Sequence, residues 1–196
     1  MSRRSVGAIA VAIMMLAFVY RGMPSAAPDT GAEIRIPLET AANYVHAVLK
    51  ADRAIYTTHV VERMQLKGIV VASENWEQRN TLPLPAQFLL ESAKLVEQER
   101  AGIRYRLISL WPINERNGPA SEFERTGLNA VIEQPDRPHT GVAGSGRDRA
   151  FQAVYADRAI SQTCIGCHNT HPKSPKRDFK LNDVMGAILI TIPVAP

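Results

Sequence analysis

Residues 38 to about 65 contain no glycine or proline, and their apolar side chains at Leu38, Ala41, Val45, Val48, Leu49, Ile55, Tyr56 and Val60 recur at helical spacing. That periodicity predicts a long amphipathic helix. Thr81 to Pro85 is proline-punctuated and leads into a second helix over about 85–100, stopped by Gly102. From Ile103 to Trp111 the period changes to two. Arg104 and Arg106 fall on one face and Ile103, Tyr105 and Leu107 on the other, as in a half-buried strand. Ser121 followed three residues later by Glu124 reads as a capping box, predicting a helix over about 122–134. "HTGVAG" and "RDRAFQAVYADRAI" read as two strands joined around Gly144-Ser145-Gly146. The β-branched run from Val184 to Val194 has the length and character of a buried last strand. The expected class is α+β: an antiparallel sheet with a long N-terminal helix and flanking helices.

A different pattern precedes all of this. Arg3 and Arg4 stand before an uncharged apolar run from Val6 to Tyr20, which suits a secretory segment better than a membrane span of about 20 residues. Ser25-Ala26-Ala27 offers small residues for cleavage, but Pro28 is awkward just after a cut, so an uncleaved anchor is the alternative. Residues 1–27 are therefore expected to be a signal peptide or membrane anchor, and 28–196 one domain large enough to bury a core without staples. The expected location is the periplasm, with membrane association only if the N-terminal segment is retained. The formal charge of +4 belongs largely to that segment: without Arg3, Arg4 and Arg21, 20 basic side chains face 19 acidic ones. No dense basic stripe with interleaved aromatics is present, which argues against nucleic-acid binding.

The chain's two cysteines stand in "CIGCHNTHPKSPKRDF", residues 164–179. C-x-x-C-H is the attachment pattern of c-type haem, in which two thiols add to the haem vinyl groups and the histidine becomes an axial iron ligand. Cys164, Cys167 and His168 fit it without a gap, and an export signal agrees with it. A disulfide between Cys164 and Cys167 would close too small a loop to stabilise much. A thioredoxin-like pair wants a βαβ unit, which is not readable here. A zinc site recruiting His171 would need four ligands within eight residues to surround a tetrahedral ion. Pro172 and Pro175 break any helix that would continue through the motif, as a helical-bundle cytochrome requires. The motif instead feeds a terminal strand.

The stretch "PLPAQFLLESAKLV…GIRYRLISLWPINERNGPASEFERTGLNAV", followed by "CIGCHNTHPKSPKRDFKLNDVMGAI", resembles the haem-c-binding PAS-like domain family. That family includes a cyanobacterial protein associated with photosystem II and the extracytoplasmic sensor regions of membrane histidine kinases. The likeness runs from about residue 40 to the end. It implies a PAS-like antiparallel sheet with a haem held against it, Cys164 and Cys167 as thioether attachments, His168 as proximal ligand, and the "HPKSPKRDF" loop beside the haem. The chain departs from the family pattern at Phe179, where Trp is common, at Asn182, where Gly is common, and at Met185. Asn tolerates the left-handed turn that Gly would take.

With both cysteines committed to the porphyrin, the sixth iron position falls to His, Met, Lys, Tyr, water or nothing. Within residues 38–63, His59 falls inside the apolar stripe, off its centre at Val45, and is expected to face the core, either as a distal ligand or pocket residue or as a buried histidine bonded to backbone. Met185 is a further candidate or a plain core residue. Haem carboxylates call for cations. Lys173, Lys176 and Arg177 from the loop and Arg104 and Arg106 from the sheet are the candidates, the alternative for each being a solvated surface charge. Three function classes follow: a redox- or gas-responsive sensory module that binds a diatomic gas and signals through a partner protein, a periplasmic monohaem electron carrier with a redox partner, and an enzyme. No enzyme motif accompanies the haem motif, and no output domain is readable, so a signal would pass to another protein.

Overall fold

The structure, a computed structural model, describes residues 35–194, so the signal or anchor read at 1–27 lies outside the described residues. Helix α1 (Leu38–Ile55) continues as a π-helical segment, Tyr56–Glu62, and a last α-turn, α2 (Arg63–Leu66). The change of winding has a local chemical partner. Thr57 and Thr58 donate their hydroxyls to the carbonyls of Arg53 and Ala54, at 2.7 and 2.9 Å. Those are the acceptors that the α-helical N–H groups would use, and the competition favours a wider turn.

After the short α3 (Trp76–Arg79), helix α4 (Pro85–Gln98) begins at its proline, with the Leu84 N–H donating to Gln87 Oε1 at 3.0 Å. Strand β1 (Arg104–Ile108), helix α5 (Glu122–Glu133), strands β2 (His139–Ala143) and β3 (Ala150–Arg158), helix α6 (Gln162–Thr170) and strand β4 (Val184–Pro193) follow. The Ser121 hydroxyl accepts from Glu124 N at 3.2 Å, which starts α5 as expected. The reciprocal half of the capping box does not form, because Glu124 instead accepts from Ala120 N at 2.7 Å and pairs with Arg106.

The four strands pair antiparallel throughout in the order β1-β4-β3-β2, so the last strand is central, and it is buried from Val184 to Ile190. Period-two alternation separates two cores. On one face Tyr105, Phe151, Ala153, Tyr155, Ile188 and Ile190 pack against Ala42 and Leu49 of α1 and Leu89 of α4. On the other, Ile108, Val154, Ala187 and Leu189 meet Leu128 and Val131 of α5. Each fully buried aliphatic side chain contributes about 1.5–3 kcal/mol relative to exposure. Helix α5 comes so close to the sheet that a Cβ on Gly127 would stand 2.7 Å from Val154 Cγ2.

The structure thus has the α+β class, the long N-terminal helix, the antiparallel sheet and the flanking helices that the sequence predicts. One irregularity bears on the site: the β3–β4 register shifts between Asp157 and Arg158, a bulge at the end of the sheet from which α6 departs.

Candidate functional site

Helix α6 and the loop after it are inserted between β3 and β4, and their two ends are tied together. Ala159 N donates to Asp183 O and Asn182 N to Ala159 O, both at 2.9 Å. Asn182 takes φ +71°, the left-handed turn that its side chain tolerates. The helix stops at Thr170, before Pro172. Cys164 and Cys167 are free, half-buried thiols one helical turn apart. Around Cys164 an apolar cluster forms from Ala159, Phe179 and Met185, with Trp111 and Ile165 packed on it.

His168 meets Phe179 edge-on, with ring centroids 5.8 Å apart at 89°, and Phe179 meets Trp111 at 5.8 Å and 76°. Asn169 holds the backbone of Phe179, donating from Nδ2 to its carbonyl at 2.9 Å and accepting from its N–H at 3.0 Å. Burial, then the charges of Arg53 and His171, hold His168 below the usual imidazole range. The ring is thus kept neutral, the form that ligates metals. Its Nδ1 is buried without a partner. Burial, with Glu74 and Cys164 adding to it, pushes the Cys167 thiol up, so its S–H stays intact.

Two free thiols on successive turns, a neutral imidazole directly after them and an aromatic and aliphatic wall fit a haem c. Cys164 and Cys167 would hold it and His168 would approach its iron.

Of the three loop cations, Lys176 and Arg177 have engaged side chains and Lys173 does not. Lys176 pairs with Asp178 and stands over the rings of Trp111 and Phe179, at 5.5 and 5.0 Å from their centroids. Arg177 donates from Nη2 to Pro172 O at 2.9 Å and from Nε to Ser174 O at 3.3 Å. Lys173 is exposed, and its N–H donates to His171 Nδ1 at 3.1 Å. His171 Nε2 lies 3.2 Å from a Glu74 carboxylate oxygen.

Three expectations need correction. His59 is exposed and its Nδ1 bonds the Thr58 hydroxyl at 2.8 Å, so it does not face the core. The wheel that placed it inward assumed α-helical winding. The π segment advances each residue by a smaller angle, which turns His59 outward while Thr57 and Val61 become the buried positions. Arg106 is not presented to the motif, because its guanidinium pairs with Glu124 on the α5 face of the sheet. Arg104 is exposed and registers with Thr191, at the end of β4 remote from α6.

The structure adds a pair that the sequence reading missed. Arg53 Nη1 lies 3.0 Å from Asp157 Oδ1, with side chains only 11% and 15% exposed. Burial pushes the Asp157 carboxyl up and Arg53 opposes it. A signal for both existed: Arg53 stands four residues after Leu49 on the inner line of α1, and Asp157 continues the inward alternation of Phe151, Ala153 and Tyr155. His46, also on α1, stacks on Tyr155 with centroids 4.0 Å apart at 11°.

The fold is similar to that of the crystal structure of the cyanobacterial heme-protein Tll0287, with a TM-score of 0.52 at 15% identity, covering 82% of this chain and 98% of that one. No curated protein sequence matches. Residues 32–193, by contrast, match the family described as Tll0287-like along almost the whole folded part. The chain therefore belongs to the Tll0287-like family.

Proposed function

We propose that this chain is an exported monohaem c protein of the periplasm, in which Cys164 and Cys167 carry the porphyrin through thioether bonds and His168 is the proximal ligand. The observation that carries this reading is the arrangement on α6: two free thiols one turn apart and a neutral, half-buried imidazole against the wall of Phe179, Trp111 and Met185. The fold it shares with a protein named as a heme-protein supports it. A haem bound there supplies an iron that changes oxidation state and takes a sixth ligand. The chain's own residues orient that chemistry. Asn169 and Phe179 set the plane of His168, burial keeps it unprotonated, and the aromatic wall excludes water.

Its role is that of a redox- or gas-responsive module acting through a partner protein. Among the described residues the other histidines are turned elsewhere: His59 outward, His171 toward Glu74, His139 against Phe123, and His46 onto Tyr155. A second histidine ligand, as a bis-histidine carrier would use, has no candidate in the cluster around the motif. The alternative, a monohaem electron carrier, is favoured by Met185, whose side chain shares a cluster with Cys164.

Absorption spectra of the ferric and ferrous protein with and without carbon monoxide separate the two. Rapid carbon monoxide binding to a high-spin ferrous form supports the responsive module, and an inert low-spin form supports the carrier. Cys164→Ala with Cys167→Ala abolishes covalent haem. Haem that still travels with that polypeptide on denaturing gels overturns the attachment.

A further inference from the structure

Helix α1 turns a polar line, Asn43, His46, Lys50 and Arg53, toward an open-mouthed cavity of about 500 Å³ bordered by the end of β3 and the α5–β2 connection. Small-molecule sites span about 300–1,000 Å³. No residue of the C-x-x-C-H motif lines it, nor do Trp111, Phe179 or Met185. Arg53 belongs to both places, lining the cavity while its charge acts on His168.

The donors there exceed their partners. Asp157 takes Nη1 of Arg53, and the outward-facing Asp136 takes Arg158 at 2.7 Å. Lys50 is exposed and makes no ion pair among the described residues, Arg53 Nε is buried without a partner, and His46 Nε2, a donor or an acceptor according to the tautomer, is buried without one as well. Buried donors are rarely left unpaired, and a guanidinium is always charged. The floor is formed by Tyr155, whose hydroxyl donates to Asn43 Oδ1 at 2.7 Å, and by the aliphatic Ile188. Cationic donors at one side of a partly apolar chamber match a carboxylate on a short carbon body, since planar guanidinium and carboxylate groups pair in fixed geometry.

We propose that this cavity is a carboxylate-binding site anchored by Arg53 and Lys50. Such a carboxylate has two sources, a free small organic acid or a propionate arm of the haem. The second source rests on the haem reading above.

The test uses the full-length haem-loaded protein, its covalent haem first verified on denaturing gels, titrated calorimetrically with acetate and with malonate at low ionic strength. A free-acid site gives saturable binding, weakened at least tenfold in Lys50→Gln. If a propionate fills the site, the haem-loaded protein binds neither acid, the folded Cys164→Ala/Cys167→Ala protein binds them, and Lys50→Gln shifts the pH dependence of the haem midpoint potential. Arg53→Lys keeps the charge opposite Asp157 and the fold while removing Nε, and it weakens either mode. Absence of acid binding in both proteins, together with an unmoved potential profile in both variants, overturns the proposal. If no haem is attached, the haem reading fails alone, and titration of that same protein still decides the cavity.

Discussion

Asn169 grips the backbone of Phe179 at both its polar groups, with bonds of 2.9 and 3.0 Å, and so fixes the ring that stands edge-on to His168 one residue before it. One amide side chain thereby joins the C-x-x-C-H helix to the returning loop. Phe179 as a whole residue is only 3% exposed, so its backbone groups sit where water is a poor substitute partner.

Asn169→Ala is expected to cost about 1–3 kcal/mol, because it leaves a buried N–H and C=O without partners. Asn169→Asp keeps the acceptor and loses the donor, and should fall between. Urea unfolding of the three proteins measures this. An alanine variant as stable as the parent would show that the loop is held by other contacts.

Iron ligation separates two histidines. In the haem c protein proposed above, His168→Ala should remove the proximal imidazole while the thioethers retain the porphyrin, giving a high-spin or misligated absorption spectrum. His59→Ala, an outward residue bonded to Thr58, should leave both the spectrum and the carbon monoxide binding rate of the parent. A spin-state change in a folded His59→Ala protein would contradict the outward placement.

What the sequence made legible was what local chemistry decides. Pro85 and the Ser121–Glu124 spacing mark helix starts, the arginine alternation marks β1, and the β-branched run after Met185 marks the central strand. Their signals lie within a few residues of the structure they cause. His59 was misread for the converse reason: the π turns beside it depend on a competition among Thr57, Thr58 and the backbone, and a small change in winding accumulates along the helix. The face of Arg106 was legible but its partner was not, since Glu124 reads equally well as a capping residue. Arg53 and Asp157 each look like a solvated charge until two distant segments, α1 and β3, are superposed.

Two glycines test the close packing of the sheet. A Cβ on Gly127 would stand 2.7 Å from Val154 Cγ2 and 3.2 Å from His139 Cδ2, whereas one on Gly186 would stand 2.5 Å from the carbonyl oxygen of Ile108. Alanine gains about 1 kcal/mol of helix propensity at position 127, but overpacking a core costs about 1–3 kcal/mol. Gly127→Ala is therefore expected to be destabilising on balance. Gly186→Ala should cost more, because the obstacle is the β1 backbone rather than a side chain that can shift. Thermal unfolding in the order parent, Gly127→Ala, Gly186→Ala checks this, and a reversed order of the two variants would refute it.

The acid sensitivity of folding should carry a signature of His46. Burial, with Lys50 adding repulsion, lowers its pKa from 6.5 to about 4. Tyr155 contributes no charge, its phenol being pushed up to about 12 by burial and by Glu39. The unfolded chain thus takes up the proton near pH 6.5 and the folded chain near pH 4. Between those values the unfolded state binds more protons, so the stabilisation is fully present above pH 6.5 and is lost as pH falls toward 4. Asp157 works in the opposite sense, because a carboxyl raised by burial favours the protonated folded form as pH falls, but it is common to parent and variant and cancels in their difference. His46→Phe keeps an aromatic ring on Tyr155 and removes the titration. Urea midpoints of the haem-loaded proteins between pH 6.5 and 4 should fall more steeply for the parent than for His46→Phe, and parallel curves would mean that His46 is protonated as readily in the folded protein as in the unfolded chain.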